Sequence, residues 1–151
     1  MIDIEYEMKQ SEITGQYRII LDKLLRKRDL ETVLFLRILM ETGLRSREVY
    51  SLRPEDIVHR KVYLPMKYWK FYKEAEKSMG VFRISRRTEQ IARAVEGGRK
   101  RYFTRSHSYY LAKIKRYRTD KRFNLHIMRN LRKKIDWWNA MGKMNRKAVR
   151  D

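Results

Sequence analysis

Two short segments carry residue types that could act on a charged ester. In Thr42-Gly43-Leu44-Arg45-Ser46-Arg47-Glu48-Val49, an arginine stands between a glycine that closes one apolar helix and the start of the next helix. A guanidinium in such a junction is held by structure on both sides, near a helix start where anions are favoured. The second segment is His126-Ile127-Met128-Arg129. Residues three apart on a helix are surface neighbours, so His126 and Arg129 present an imidazole and a guanidinium side by side while Leu125 and Met128 face inward. Each signal is weak alone. A loop arginine is most often an ordinary surface residue, and a helical His beside an Arg in a basic chain most often marks a solvated face or a phosphate contact. Paired arginines do suit phosphoryl transfer, which is catalysed largely by fixed positive charge around the equatorial oxygens.

Other chemistries are excluded by the inventory. There is no cysteine, which rules out disulfides, thiolate metal sites and a cysteine nucleophile. His59, His107 and His126 include no pair at metal-ligand spacing, so neither a metal nor a cofactor is expected. A metal-dependent nuclease would need clustered carboxylates. Glu55-Asp56 and Glu74/Glu76 find no acidic partner in the basic half, and that alternative ranks low.

The partner is expected to be a polyanion. The 151 residues carry 38 Lys plus Arg against 18 Asp plus Glu, a formal charge of +20. With 42% apolar and 12% aromatic residues the chain is too hydrophobic for a disordered basic tail, and its length suits one domain spanning residues 1–151. The charge is uneven: a net +5 over residues 1–98 and +15 over residues 99–151. The first part therefore reads as core and scaffold, the second as contact surface. In the second part basic and aromatic residues alternate, as in Arg101-Tyr102-Phe103 and Lys121-Arg122-Phe123, and most of these aromatics are expected to face the core. The longest apolar run, Val33 to Leu36, is far short of a membrane span, and the acidic N-terminus lacks the order of a secretory signal, so no membrane partner and a cytoplasmic or nucleoid location are expected.

The elements that must position these residues are mainly helical. Ile13, Tyr17, Ile20 and Leu24, widened by Leu21 and Leu25, predict an amphipathic helix over 12–27. Asp29 caps a second helix over about 30–42, apolar nearly all round and hence central, ended by Gly43. A short third helix runs from Ser46 to Leu52 and is stopped by Pro54. Residues 61–64, 68–72 and 81–84 are β-prone and predict a small antiparallel sheet of two or three strands, with a hairpin loop over 73–80. Helices follow from Ser85 to Gly97-Gly98, from Ser106 to Tyr117, and from the N-cap Asn124 to about Met141. The fold class is α+β, mainly α.

In order and spacing, the Thr-Gly-Leu-Arg segment behind its apolar helix, Leu52-Arg53-Pro54-Glu55-Asp56-Ile57 after it, the strands, and His126-x-x-Arg129 with a glycine thirteen residues on resemble the catalytic domain of tyrosine recombinases, the integrases of phages and archaeal viruses. The resemblance implies that the chain binds double-stranded DNA, that a homo-oligomer forms on that DNA, and that strands are cut and rejoined through a phosphotyrosine. It assigns Arg45 and Arg129 to the non-bridging oxygens of the scissile phosphate and His126 to proton transfer and phosphate positioning. Glu48 becomes a brace for Arg45. Arg47, Arg105, Lys113, Arg132 and Lys133 become candidate DNA contacts.

The family's hairpin lysine, general acid to the leaving hydroxyl, is matched by Lys77, with Lys67, Lys70 and Lys73 as alternatives. The family's nucleophilic tyrosine has no counterpart here: Asp151 lies 22 residues past Arg129, and no tyrosine follows Tyr117. The chain is accordingly expected to be a truncated catalytic domain, inactive alone, with residues 1–10 a short extension in place of the family's DNA-clamping domain. Tyr109, Tyr110, Tyr117 and Trp138 are expected to be packing residues. The alternative to an enzyme is a non-catalytic basic DNA-binding module, such as a decayed integrase with a regulatory role.

Overall fold

The second helix is the axis of the fold. In the computed structural model, residues 8–64 and 80–134 are described, the side chains of Lys133 and Lys134 excepted. Helix α1 spans Gln10–Arg26 and α2 spans Leu30–Thr42. Asp29 caps α2 by accepting a hydrogen bond from the Thr32 N–H at 3.2 Å. From Thr32 to Thr42 all of α2 except the half-buried Arg37 is buried. A helix apolar nearly all round has no solvent face and must be wrapped by other elements. Helix α1 supplies Ile13, Tyr17, Ile20, Leu21 and Leu24 to that wrapping, whereas Leu25, expected on the same stripe, is 45% exposed. Leu25 follows Leu24 by one residue, a turn of about 100° that carries it off the buried face.

After α2 come the short helix α3 (Ser46–Tyr50) and a 3-10 turn (Pro54–Asp56) that Pro54 opens. A three-stranded antiparallel sheet follows in the order β1 (Ile57–Val58), β2 (Lys61–Tyr63), β3 (Val81–Arg83). Strand β1 was not expected. It pairs with β2 through a two-residue turn, His59-Arg60, in which both residues have positive φ, 50° and 65°. That geometry suits the twist of a hairpin but is usually supplied by Asn-Gly, so the sequence offers no signal for it. The Arg60 N–H is tied to Glu89 Oε2 at 2.8 Å. Across β2 and β3, buried Val62 faces buried Phe82, while Lys61 faces Arg83 on the exposed side. The strand expected over 68–72 and the loop over 73–79 lie outside the described residues.

Helices α4 (Arg86–Glu96), α5 (His107–Tyr117) and α6 (Leu125–Lys134) complete the described chain. The side chains of Ser85 and Ser106 cap α4 and α5. Among the described aromatics of the basic half, Tyr102, Phe103, Tyr110 and Phe123 pack inward as expected, while Tyr109 and Tyr117 are half-buried. Phe35 of α2 stacks on Tyr110 at 5.2 Å and meets Phe103 edge-on at 5.3 Å; Tyr102 and Phe123 are also buried. The fold is α+β and mainly helical, with one small antiparallel sheet.

Candidate functional site

The site forms where α6 docks on the C-terminal end of α2. Gly43 closes α2 in the left-handed conformation, φ 73°, with its N–H on the Leu39 carbonyl. The Thr42 hydroxyl donates to the Ile38 carbonyl at 2.6 Å and accepts the Leu44 N–H at 3.1 Å, which fixes the turn. Leu44 plunges into the core at 1% exposure, and Arg45 emerges beside it on the surface. Glu48, itself buried, accepts the backbone N–H of Arg45 at 2.7 Å. Glu48 thus holds the main chain from which the guanidinium projects.

Helix α6 begins at Asn124, whose side chain accepts the Ile127 N–H at 2.9 Å. Met128 and Leu131 anchor it to the core. Two arginines then join it to the end of α2. Arg129 Nε donates to the Gly43 carbonyl and Arg132 Nε to the Glu41 carbonyl, each at 2.9 Å. The last carbonyls of a helix lack intrahelical partners and carry its negative pole, so cations are favoured there.

Between these elements lies a cleft of about 310 Å³. Leu39, Leu44 and Met128 line its apolar side, while Arg45, Ser46, His126 and Arg129 line its polar side. Three residues singled out in the sequence, Arg45, His126 and Arg129, therefore share one concavity. Among the described residues no carboxylate lines it. The arrangement suits an anion with several oxygens: two guanidinium groups supply charge and forked donors, and an imidazole supplies a proton-transfer group.

Behind the cleft sits a buried polar network that sequence reasoning missed. Glu41 accepts from the Ser85 N–H at 2.8 Å and from the Thr88 hydroxyl at 2.7 Å, and Arg37 lies 3.4 Å from the same carboxylate. Arg37 Nε also donates to the Thr88 hydroxyl at 2.8 Å. This network ties α2 to the start of α4 one turn before Arg45. Glu41 looks like a polar break in an apolar helix, and only the fold supplies its partners.

Ser46 and His107 were also missed. The Ser46 hydroxyl lies 3.0 Å from His107 Nε2. The His107 ring is held against Tyr50 and Phe35, with centroids 5.5 and 6.4 Å apart. Burial, and secondarily the nearby charge of Arg47, pushes His107 below the usual histidine value. Ser46 directly follows Arg45, which was a local clue; nothing local marks His107, 61 residues away.

The remaining candidates are spread more widely. Arg47 is exposed on α3, and Arg105 lies over the Tyr109 ring at 5.5 Å. Lys113 is 3.9 Å from Asp29 and sits over the rings of Tyr109 and Tyr117. Arg132 is half-buried at the helix junction. Lys77, with Lys67, Lys70, Lys73, Glu74, Glu76 and Trp138, lies outside the described residues, as does the side chain of Lys133. Among the described residues no group of three or more His, Asp or Glu side chains could hold a metal ion, and no helix is long and apolar enough to cross a membrane.

No known protein family, curated protein or solved structure matches this chain.

Proposed function

We propose that the chain is the catalytic domain, or most of one, of a site-specific tyrosine recombinase, and that the Arg45–His126–Arg129 cleft takes the scissile phosphate of double-stranded DNA. The convergence of Arg45, His126 and Arg129 on one cleft supports this reading most, because 84 positions separate the two arginines and nothing in a generic basic domain requires them to meet. In this reading the guanidinium groups neutralise the non-bridging oxygens as charge builds in the transition state. His126 moves a proton at the ester oxygens. Glu48 positions Arg45 through the main chain, and Lys77 is the general acid toward the leaving hydroxyl. The net +15 of residues 99–151 supplies the phosphate contacts that hold duplex DNA around the cleft.

The test is a nicked suicide duplex offered to the full chain and to Arg45→Ala and Arg129→Ala variants. The reading expects salt-sensitive binding that each variant weakens, together with a covalent protein–DNA adduct wherever a nucleophile reaches the cleft. Binding by both variants indistinguishable from the parent, without adduct, would leave a non-catalytic DNA-binding module.

A further inference from the structure

A second cavity, of about 360 Å³, lies between α4 and β1 and shares no lining residue with the cleft of Arg45. Pro54, Ile57, Val58 and Ala92 give it an apolar wall. Glu89, Glu96 and Tyr102 give it polar groups, and the exposed His59 and Arg93 complete the lining. We infer that this cavity binds a small primary alkylammonium ion, its apolar chain against Ile57, Val58 and Ala92 and its charge beside Glu96 and Tyr102. The inference does not depend on reading the Arg45 cleft as a phosphate site.

Two independent observations carry it. The first is Tyr102, which is only 2% exposed. Among the described residues nothing hydrogen-bonds its hydroxyl; the bond from Arg99 reaches only its main-chain carbonyl. Buried hydroxyls left without a partner are costly and uncommon in folded proteins. Burial, and then the charges of Glu96, Asp56, Glu55 and Glu89, push this hydroxyl up and keep it neutral. A donor in the cavity supplies the partner that the protein does not.

The second is Glu96, the half-buried last residue of α4. A helix has its negative pole at this end, so a carboxylate there is disfavoured unless a cation meets it. Glu89 is already answered: it accepts the Arg60 N–H at 2.8 Å and lies 3.7 Å from Arg93. No cation pairs with Glu96 among the described residues.

This chemistry selects the ligand. An anion would meet two carboxylates. Among the described residues no group of side chains could hold a metal ion, and a bare ion would leave the apolar wall, with Val58 43% exposed, unused. An alkylammonium donates to Glu96 and to the Tyr102 oxygen at once and covers that wall. The chain as a whole carries +20 and repels free cations, so a cation held here is held by local charge. Its source is a free amine or a lysine side chain, which the test separates.

The probes are hexylammonium and Nα-acetyl-lysine N-methylamide, titrated into the full chain at neutral pH while NMR follows the Tyr102 ring and the Ala92 methyl. The expected result is saturable shifts at both residues that added salt weakens, with hexanol and hexanoate at least about tenfold weaker. Tighter binding of hexylammonium assigns the site to a free amine; tighter binding of the lysine amide assigns it to a protein lysine. Glu96→Gln weakens the ammonium about tenfold, and Tyr102→Phe weakens it less. Absence of saturable shifts overturns the proposal, as does hexanol binding as well as hexylammonium. So does binding unchanged by Glu96→Gln in a variant whose remaining spectrum matches the parent. Duplex binding and its dependence on Arg45 and Arg129 are unaffected by either variant, so failure here leaves the phosphate reading standing.

Discussion

Arg129 donates through Nε to the main-chain carbonyl of Gly43 across 86 positions of sequence, at 2.9 Å. One side chain thereby closes the end of the central helix and lines the cleft beside Arg45. Position and charge are thus set by the same contact that holds the two helices together.

Replacing Arg129 should therefore have two effects. Arg129→Ala is expected to cost about 1–2 kcal/mol in chemical denaturation, since the Gly43 carbonyl loses a charged donor. It should also weaken duplex binding. Arg129→Lys keeps the charge but not the fork, and should recover more binding than stability.

Gly43 admits little else. Its φ is 73°, and a Cβ there would stand 3.0 Å from Cγ of Arg132. Gly43→Ala should destabilise by about 1–3 kcal/mol from backbone strain alone. It should also displace Arg132 from the Glu41 carbonyl, which an NMR shift of the Arg132 Nε–H would show.

The buried Glu41 network should be unforgiving of half-removal. Glu41→Ala leaves Arg37, the Ser85 N–H and the Ser85 and Thr88 hydroxyls without their shared acceptor, and an unfolding cost of about 3 kcal/mol or more is expected. Replacing Arg37 and Glu41 together by apolar residues should cost less than Glu41→Ala alone. A double-mutant cycle measures the difference.

Acid should weaken the fold, and the two part-buried groups that contribute are Glu31 and His107. Burial pushes the Glu31 carboxyl up, but hydrogen bonds from the Thr104 N–H and the Tyr110 and Thr104 hydroxyls, with the Arg99 charge, outweigh it and hold Glu31 below its ordinary 4.5. The unfolded chain then binds the proton more readily, so this stabilisation is complete above about 4.5 and is lost as pH falls through the folded value. His107 has the same sign at higher pH: its lowered folded value makes stability fall as pH drops below 6.5. Melting temperatures across pH should show both declines, with Glu31→Gln shrinking the lower, to which the likewise lowered Glu12 and Asp120 also contribute, and His107→Gln removing the upper.

Duplex affinity should fall by about a hundredfold between roughly 50 and 200 mM salt if about four phosphates are neutralised. Removing the exposed Lys100 should weaken binding equally on all sequences and flatten the salt slope slightly. Fluorescence anisotropy on two unrelated duplexes checks both; a flat salt response would exclude a phosphate-driven interface.

Local chemistry made much of this protein readable from its residues. Asp29, Ser85, Ser106 and Asn124 cap helices because each side-chain oxygen satisfies an N–H three residues ahead, and Gly43 ends α2 because a left-handed residue is needed there. The apolar periodicity of α1 and the near-complete apolarity of α2 assigned the core for the same reason: both are short-range patterns. The His59-Arg60 turn escaped detection because neither residue is the Gly or Asn that usually marks such a turn; pairing to β2 and the bond to Glu89 accompany it. Only the tertiary structure brought Arg129 to Gly43, Glu41 to Ser85 and Thr88, and His107 to Ser46. Each of these joins groups 44 or more positions apart, and such contacts depend on how helices pack around α2, which no local pattern encodes.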